Sequence, residues 1–599
     1  MNLLQVKGFL LFFCGVLTTA QGVRVGSQPN PPSWPQSVAV FDPSDDAGTI
    51  MGRVMAAFET NGGHDPPNHG QFSDKRYAFL FKPGSYKVDV PVGFYTQVVG
   101  LGTTPGEVVF EGEKGVYSEE GDYGIAGALC SFWRSAENFR TSANFKWTTG
   151  TGMMWAVSQA SPVRRVAVDN SLVLFEYQPP IPGAGEASGG YMANVQVGNM
   201  VKPGSQQQWF GRDSTANQIQ DGAWNMVYSG VDGSPTPHCG NDGQAAITVI
   251  DATPLVSEKP YIAIASNGNY SLIVPPLKRN SHGADHTETG TSIDFSNVYV
   301  TDPNDSAADI NAKLAMGLHV VLSPAIYSLS EPLKLATKGQ VLLGLGMATL
   351  RATNANTLVE VGDVDGVRLA GFIVQAGPLV GGKRSPSLIQ WGTGKYAGNA
   401  NDPGFLQDIF ARVGGPDGSP TNPVGVDTMV LVNSGHVVGD NMWLWRADHT
   451  ANGPTYPHSG NDCDHGLVVN GDDVFMYGLA VEHTLADLTV WNGDRGTTFF
   501  YQSELPYNVQ DSEFGAKGYA GYRVADGVTQ HTAKGVGVYS FFALYNVTTT
   551  SGIVCPPALE SSFMDSLAVK LNGNGGITHV INGNGNPVVG GQTEVSYVC

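Results

Sequence analysis

The chain has 599 residues, of which 41% are hydrophobic and 10% aromatic, enough to fill more than one core, but only 14% are charged. Its 77 glycines and sparse charge suit many short strands joined by tight turns and argue against a helical bundle. The formal charge of −20 argues against nucleic acid or an anionic membrane as partner and disfavours polyanionic glycans, which leaves a neutral polysaccharide.

In chain order, residues 1–22 read as a signal peptide. Lys7 supplies the basic start, Gly8 to Leu17 an apolar run too short to span a bilayer, and Thr18-Thr19-Ala20 the small residues before cleavage. The expected product is a soluble, extracellular monomer that contacts neither membrane nor nucleic acid. Five cysteines then remain, and Cys555 with Cys599 are candidates for stapling the tail, although spacing does not fix the pairing. With no CxxC pair and no His/Cys cluster at zinc spacing, neither metal nor cofactor is expected. Sequons at Asn269, Asn304 and Asn546 would carry glycans in a eukaryotic host.

The most informative pattern is a repeat on the scale of half the chain. Phe41-Asp-Pro-Ser-Asp-Asp46 leads into an apolar-periodic stretch, Ile50 to Phe58, then Tyr77-Ala-Phe-Leu-Phe-Lys-Pro-Gly-Ser-Tyr86 and Gln97-Val-Val-Gly-Leu-Gly102. The second half replays it with Thr301-Asp-Pro-Asn-Asp-Ser306, a helical stretch to Leu318, His319-Val-Val-Leu-Ser-Pro-Ala-Ile-Tyr327 and Gln340-Val-Leu-Leu-Gly-Leu-Gly346. Downstream, runs of four to seven apolar residues such as Thr428 to Val432 and Gly466 to Asn470 are broken by Gly, Asn and Asp. The expected architecture is all-β: two tandem right-handed parallel β-helices of the pectin-lyase type, each opened by a short capping helix. The first spans residues 30–280 and the second 300–599, with a polar linker at 281–299.

The chemistry is expected in the second half. Glu482 and Glu504 are 22 residues apart, about one turn of a parallel β-helix, which would place them on neighbouring rungs about 4.8 Å apart. Two carboxyls so close do not both ionise readily, and one is kept protonated as a general acid near neutral pH. Trp443, Trp445, Trp491, Tyr501 and Tyr507 are candidates for stacking on sugar rings. His449, His458, His465 and His483, with Asp462 and Asp464, match no metal motif and read as polar residues near a sugar cleft.

Val481-Glu-His-Thr484, Val490-Trp-Asn-Gly493 and Phe499-Phe-Tyr-Gln-Ser-Glu-Leu-Pro-Tyr507 together resemble the catalytic region of glycoside hydrolase family 55, the β-1,3-glucanases. Trp443-Leu-Trp-Arg-Ala-Asp-His449 is similar to the segment ahead of that site. In the first half, Gly204 to Ser214, Val227 to Val231 and Ser257 to Tyr261 resemble the bacterial branch. The resemblance implies two tandem parallel β-helices, exo-attack on β-1,3-glucan with inversion, and Glu504 as general acid. Gln206, Gln207, Gln208 and Ser229 are then candidates for holding the attacking water. His483, Gln502 and Ser503 are candidates for binding sugar or water, and Glu482 for tuning Glu504. Inverting enzymes separate acid and base by roughly 6.5–9.5 Å, so stacked rungs leave the base unassigned. A polysaccharide lyase or uronic-acid hydrolase on the same scaffold, and a non-catalytic glycan-binding protein, stay open as alternatives.

Overall fold

The computed structural model describes residues 27–62, 70–119, 128–176, 186–287, 289–450, 453–455 and 460–599. The proposed signal peptide and His458 lie outside them. Two parallel sheets dominate. A 15-stranded sheet runs from Val38–Phe41 to Ala246–Ile250, and a 21-stranded sheet from Val298–Val300 to Glu594–Val598. Strands pair with the next turn in register, as in Glu482 opposite Glu504, and inward residues fill two long hydrophobic cores. The architecture is that of parallel β-helices, as the repeat suggested.

Each half opens with a helix, as expected. Asp46 caps Ala47–Asn61 by accepting from the Thr49 N–H at 3.1 Å, and Ile50, Val54 and Ala57 are buried at helical spacing. Ser306 caps Ala307–Ala315 with Asp309 completing a capping box, and Ala307, Ile310 and Leu314 join the second core. The stretch expected as a linker at 281–299 carries secondary structure. Thr291–Asp294 pairs antiparallel with Tyr270–Val274, and just ahead of it Lys278–Ser281 pairs with Thr253–Val256. Its polar composition reflects small sheets packed on one face only, over Ile262, Leu272 and Phe295.

One backbone feature recurs from turn to turn. In the second sheet Gly371, Asp408, Asn441, Gly478, Phe500 and Gly535 occupy matching positions on six successive turns, all left-handed, with φ between 52° and 75°. Asn138, Arg165, Asn194, Asp213 and Gly230 form the counterpart in the first, with φ from 43° to 59°. Such a residue bends each strand and restarts the alternation of side chains beyond it. Gly478 is held there twice over. A Cβ would lie 2.9 Å from the Tyr191 ring of the first helix, and its φ is 64°.

Around these corners the two β-helices face each other through buried ion pairs. Arg164 donates to Asp408 and Asp440, Arg212 to Asp440 and Glu258, and Lys259 to Glu137 and Asp408, all at 2.7–3.1 Å. Tyr191 adds a short hydrogen bond to Asp440.

The disulfide differs from the pairing considered above. Cys599 bonds Cys239, 360 residues away, and Cys555 is a buried free thiol whose pKa burial pushes up to about 11. The reason lies in the last strand. Glu594–Val598 returns antiparallel along Ser566–Lys570, beside Asp565, which accepts from Thr248 of the first helix. That path delivers the tail to the first helix, so the bond ties both helices together. Replacement by Cys599→Ser is expected to lower stability by about 2–4 kcal/mol, as read by calorimetry in matched oxidising buffers. An unchanged melting temperature would show that the packing there suffices without it.

Candidate active site

The corners determine which side chains reach the groove between the helices. Beyond Gly478, Leu479 and Val481 point into the core while Ala480 and Glu482 point out. Beyond Phe500, Tyr501 enters the core while Gln502 and Glu504 point out. Register then aligns Trp445, Glu482, Glu504 and Tyr539 on consecutive turns. The first helix supplies the facing wall from its own turns, with Phe132, Gln159, Ser188, Gln207 and Trp224. Between them lies a cavity of about 690 Å³.

Glu482 is held from both sides. Gln159 Nε2 donates to Oε1 at 2.8 Å, and Trp443 Nε1 donates to Oε2 at 2.8 Å. Ser188 Oγ donates to Gln159 Oε1 at 2.8 Å, which fixes the amide with its N–H₂ towards the carboxylate. Glu504 accepts from Gln502 Nε2 at 3.3 Å and, in a short bond, from the Tyr507 hydroxyl. His483 packs edge-on against Tyr507 with ring centroids 4.4 Å apart, and its backbone N–H donates to the Glu504 carbonyl at 2.7 Å.

Burial dominates the electrostatics. It raises the pKa of Glu504 to about 7, assisted by the charge of Asp448 and opposed by the Tyr507 hydrogen bond. Burial and then the charge of Glu504 push Glu482 well above the ordinary carboxyl range. The two titrate as a pair that retains a proton at neutral pH. Burial also works against charge on Asp448, but the hydrogen bond and charge of His449 outweigh it and hold Asp448 below the usual range. Burial lowers His483 to about 4, so it is neutral here.

Of the residues singled out from sequence, Glu482, Glu504, Trp443, Trp445, His483, Tyr507 and Gln207 line the cavity. Gln502 lies directly behind the carboxyl pair. Trp491, Tyr501 and Ser503, expected to face the sugar, do not. Trp491 and Tyr501 belong to the second core, and Ser503 donates to the Gly537 carbonyl. The alternation restarted at Phe500 turns Tyr501 and Ser503 inward. Gln206 braces the first helix by donating to the Val157 and Leu174 carbonyls at 2.8 Å, and Gln208 donates to the Ser188 carbonyl. Ser229 pairs with Arg212 and bonds Thr253, on the face carrying the ion pairs. Asp462, Asp464 and His465 line a separate cavity of about 290 Å³ with Arg384. Among the described residues no group of three or more His, Cys, Asp and Glu is arranged to hold a metal.

Gln159 and Ser188 escaped the sequence reading. They precede Gln207 by 48 and 19 residues, and such uneven turns hide the ladder they form.

Comparison with known proteins agrees with this geometry. A family model described as the LAM55 pectate lyase-like domain matches residues 298–504. An exo-β-1,3-glucanase of Streptomyces sp. (strain SirexAA-E / ActE) is 37% identical over 572 residues, covering 94% of this chain and 88% of that protein. The solved structure of sacteLam55A from Streptomyces sp. SirexAA-E superposes with a TM-score of 0.85 at 35% identity, over 94% of this chain and 98% of that one. A glutamate-to-alanine variant of sacteLam55A in complex with glucose matches equally well, over 95% and 98%. The chain belongs to glycoside hydrolase family 55, the β-1,3-glucanases.

Proposed function

We propose that this chain is a secreted exo-β-1,3-glucanase that removes single glucose units with inversion, using Glu504 as general acid. The observation carrying this reading is the carboxyl pair on adjacent rungs, retaining a proton at neutral pH inside a groove shared by both helices. Burial by itself keeps the proton more firmly on Glu482 than on Glu504, and the productive form is the one with the proton moved to Glu504, ready for the departing glycosidic oxygen. The charge sits on Glu482, where two N–H donors at 2.8 Å receive it. Through Gln159, Glu482 also orients Ser188, and these two side chains take the water-holding role first sought in Gln206, Gln208 and Ser229.

The shape of the groove supports attack from a chain end. One turn beyond Glu482, Trp443 and Trp445 pack at tilted angles against Phe132 and Trp133, and His449 meets Gln71 at 2.7 Å. This aromatic cluster stands at the end of the groove where the chain terminus of the glucan would sit. On the other side the groove continues past Phe541 to Trp224, Leu571 and Asn572, where the rest of a glucan would lie.

A uronic-acid substrate fits poorly. The described lining carries Glu186, Asp448, Glu482 and Glu504 but no lysine or arginine, so a carboxylated sugar would be repelled. No helix among the described residues is long and apolar enough to cross a membrane.

The test is digestion of laminarin followed by product sizing and proton NMR of the first product. Glucose released as the α-anomer is expected. Oligosaccharides as first products would overturn exo-action, and β-glucose would overturn inversion.

A further inference from the structure

Behind the carboxyl pair lies a second, much smaller space. It measures about 20 Å³ and is bounded by Gln159, Ser188 and Tyr191 of the first helix and Asn441, Ala480 and Gln502 of the second. A water molecule needs roughly 10–15 Å³ of such volume and two or more polar partners, so this chamber suits one. Gln502 forms its front wall. Gln502 is 1% exposed, its Nε2 donates to Glu504 at 3.3 Å, and its amide lies near enough to Glu482 to favour the ionised form there as well. Its Oε1 is buried and has no hydrogen-bond partner among the described residues. A buried amide oxygen without a partner is costly, and a polar chamber beside it supplies the remedy.

We propose that the chamber binds a single internal water that accepts no substrate role but anchors Gln502 Oε1, making Gln502 the positioning residue that keeps an N–H donor between the two carboxyls. An amide is nearly symmetric in shape, so packing alone does not choose which end faces Glu482 and Glu504. Turned over, it would present a carbonyl to the pair and repel the ionised form. Held by the water, it presents N–H and favours the ionised form, which limits how far burial raises the pair. Other groups facing the pair are Asp448, His449, His483 and Tyr507 from the second helix and Glu186 from the first. Beyond the chamber, Asp440 is already saturated by Arg164, Arg212 and Tyr191.

The inference rests on the general-acid reading for its kinetic consequence but not for the water. The experiment therefore combines a high-resolution crystal structure of the wild-type protein and Ala480→Val with pH–rate profiles on laminarin for both and for Gln502→Leu. Ala480 lines the chamber and is not itself a partner of either carboxyl, so Ala480→Val takes up space there while leaving both glutamates in place. An ordered water within hydrogen-bonding distance of Gln502 Oε1 is expected in the wild type and not in Ala480→Val. The alkaline limb of activity should move upward in Gln502→Leu by about one pH unit, the worth of one hydrogen bond to a charged group. Ala480→Val should move it in the same direction, with little change in KM. A chamber without water at Oε1, or an unmoved limb in folded Ala480→Val, overturns the proposal. Should Gln502→Leu fail to fold, the comparison of wild type with Ala480→Val decides alone. Retained hydrolysis in Glu504→Gln would instead defeat the general-acid reading while leaving the water where the crystal shows it.

Discussion

Glu504→Gln is expected to abolish hydrolysis of laminarin while the protein stays folded. Gln fills the same space and can donate to a sugar oxygen, but it has no proton to release. General-acid assistance contributes typically 10²–10⁴-fold, and a poor sugar leaving group places the loss at the upper end. The wild-type profile should show the acid directly. Activity requires Glu504 protonated, so it is present below about pH 7 and falls as pH rises through that value. Glu482→Gln should behave differently. In the productive form, with the charge on Glu482, this change removes the negative neighbour of Glu504, which then releases its proton more readily, so the alkaline limb moves to lower pH and part of the activity survives. The same titration gives an independent check on stability. A carboxyl whose pKa is raised by folding favours the native state below its unfolded value, and that advantage is lost as pH rises through about 7. Glu504→Gln should therefore melt higher than wild type at pH 8 and nearly with it at pH 4. Near-wild-type turnover in folded Glu504→Gln would remove Glu504 from the mechanism.

Asp440→Ala is expected to cost about 3–5 kcal/mol of stability, the usual penalty for removing one partner from a buried charge cluster. Asp440 accepts from Arg164 Nη1 at 3.0 Å, from Arg212 Nε and Nη2 at 2.9 and 2.7 Å, and from Tyr191. Burial opposes its charge, but the two guanidiniums hold its pKa well below the usual range. The consequence extends to activity through shared strands. Asp440 and Trp443 lie on one strand, and Ser188 sits just ahead of the strand that carries Tyr191. Loosening the pairs frees Gln159 and Ser188 to drift from Glu482. Urea unfolding together with kcat on laminarin would check both expectations, and a loss below about 1 kcal/mol would show that Asp408 and Glu258 suffice without Asp440.

How much of this was legible in the sequence depended on whether a feature repeats locally. The β-helices were legible because the second half replays the Asp-Pro, Pro-x-x-Tyr and Gly-Leu-Gly segments in order. Glu482 and Glu504 were legible because the turn between them has the length of one circuit, and the structure sets them directly opposite each other. Gln159 and Ser188 were hidden because turns of the first helix vary in length. A conspicuous run at Gln206–Gln208 drew attention instead, although alternation lets only Gln207 reach the groove. Trp491 and Tyr501 were misread because aromatic residues near an acid suggest a sugar platform, yet here they fill the core. The Cys239–Cys599 bond was out of reach, since it depends on an antiparallel return at the end of the chain.

The column of left-handed corners amounts to a reading frame. Trp445, Glu482, Glu504 and Tyr539 each stand four residues after the corner of their own turn, at Asn441, Gly478, Phe500 and Gly535. Four is even, so each of them points out of the core: Trp445, Glu482 and Glu504 line the groove, and Tyr539 packs against Trp224 at its wall. Inserting one residue ahead of Ser503 would send the acid into hydrocarbon and put Ser503 in its place at the groove. Inserting two would restore its direction but carry it roughly 6.6 Å along the strand, out of step with Glu482. Length changes that leave the site intact are therefore expected only on the far side of each turn, away from these four-residue intervals.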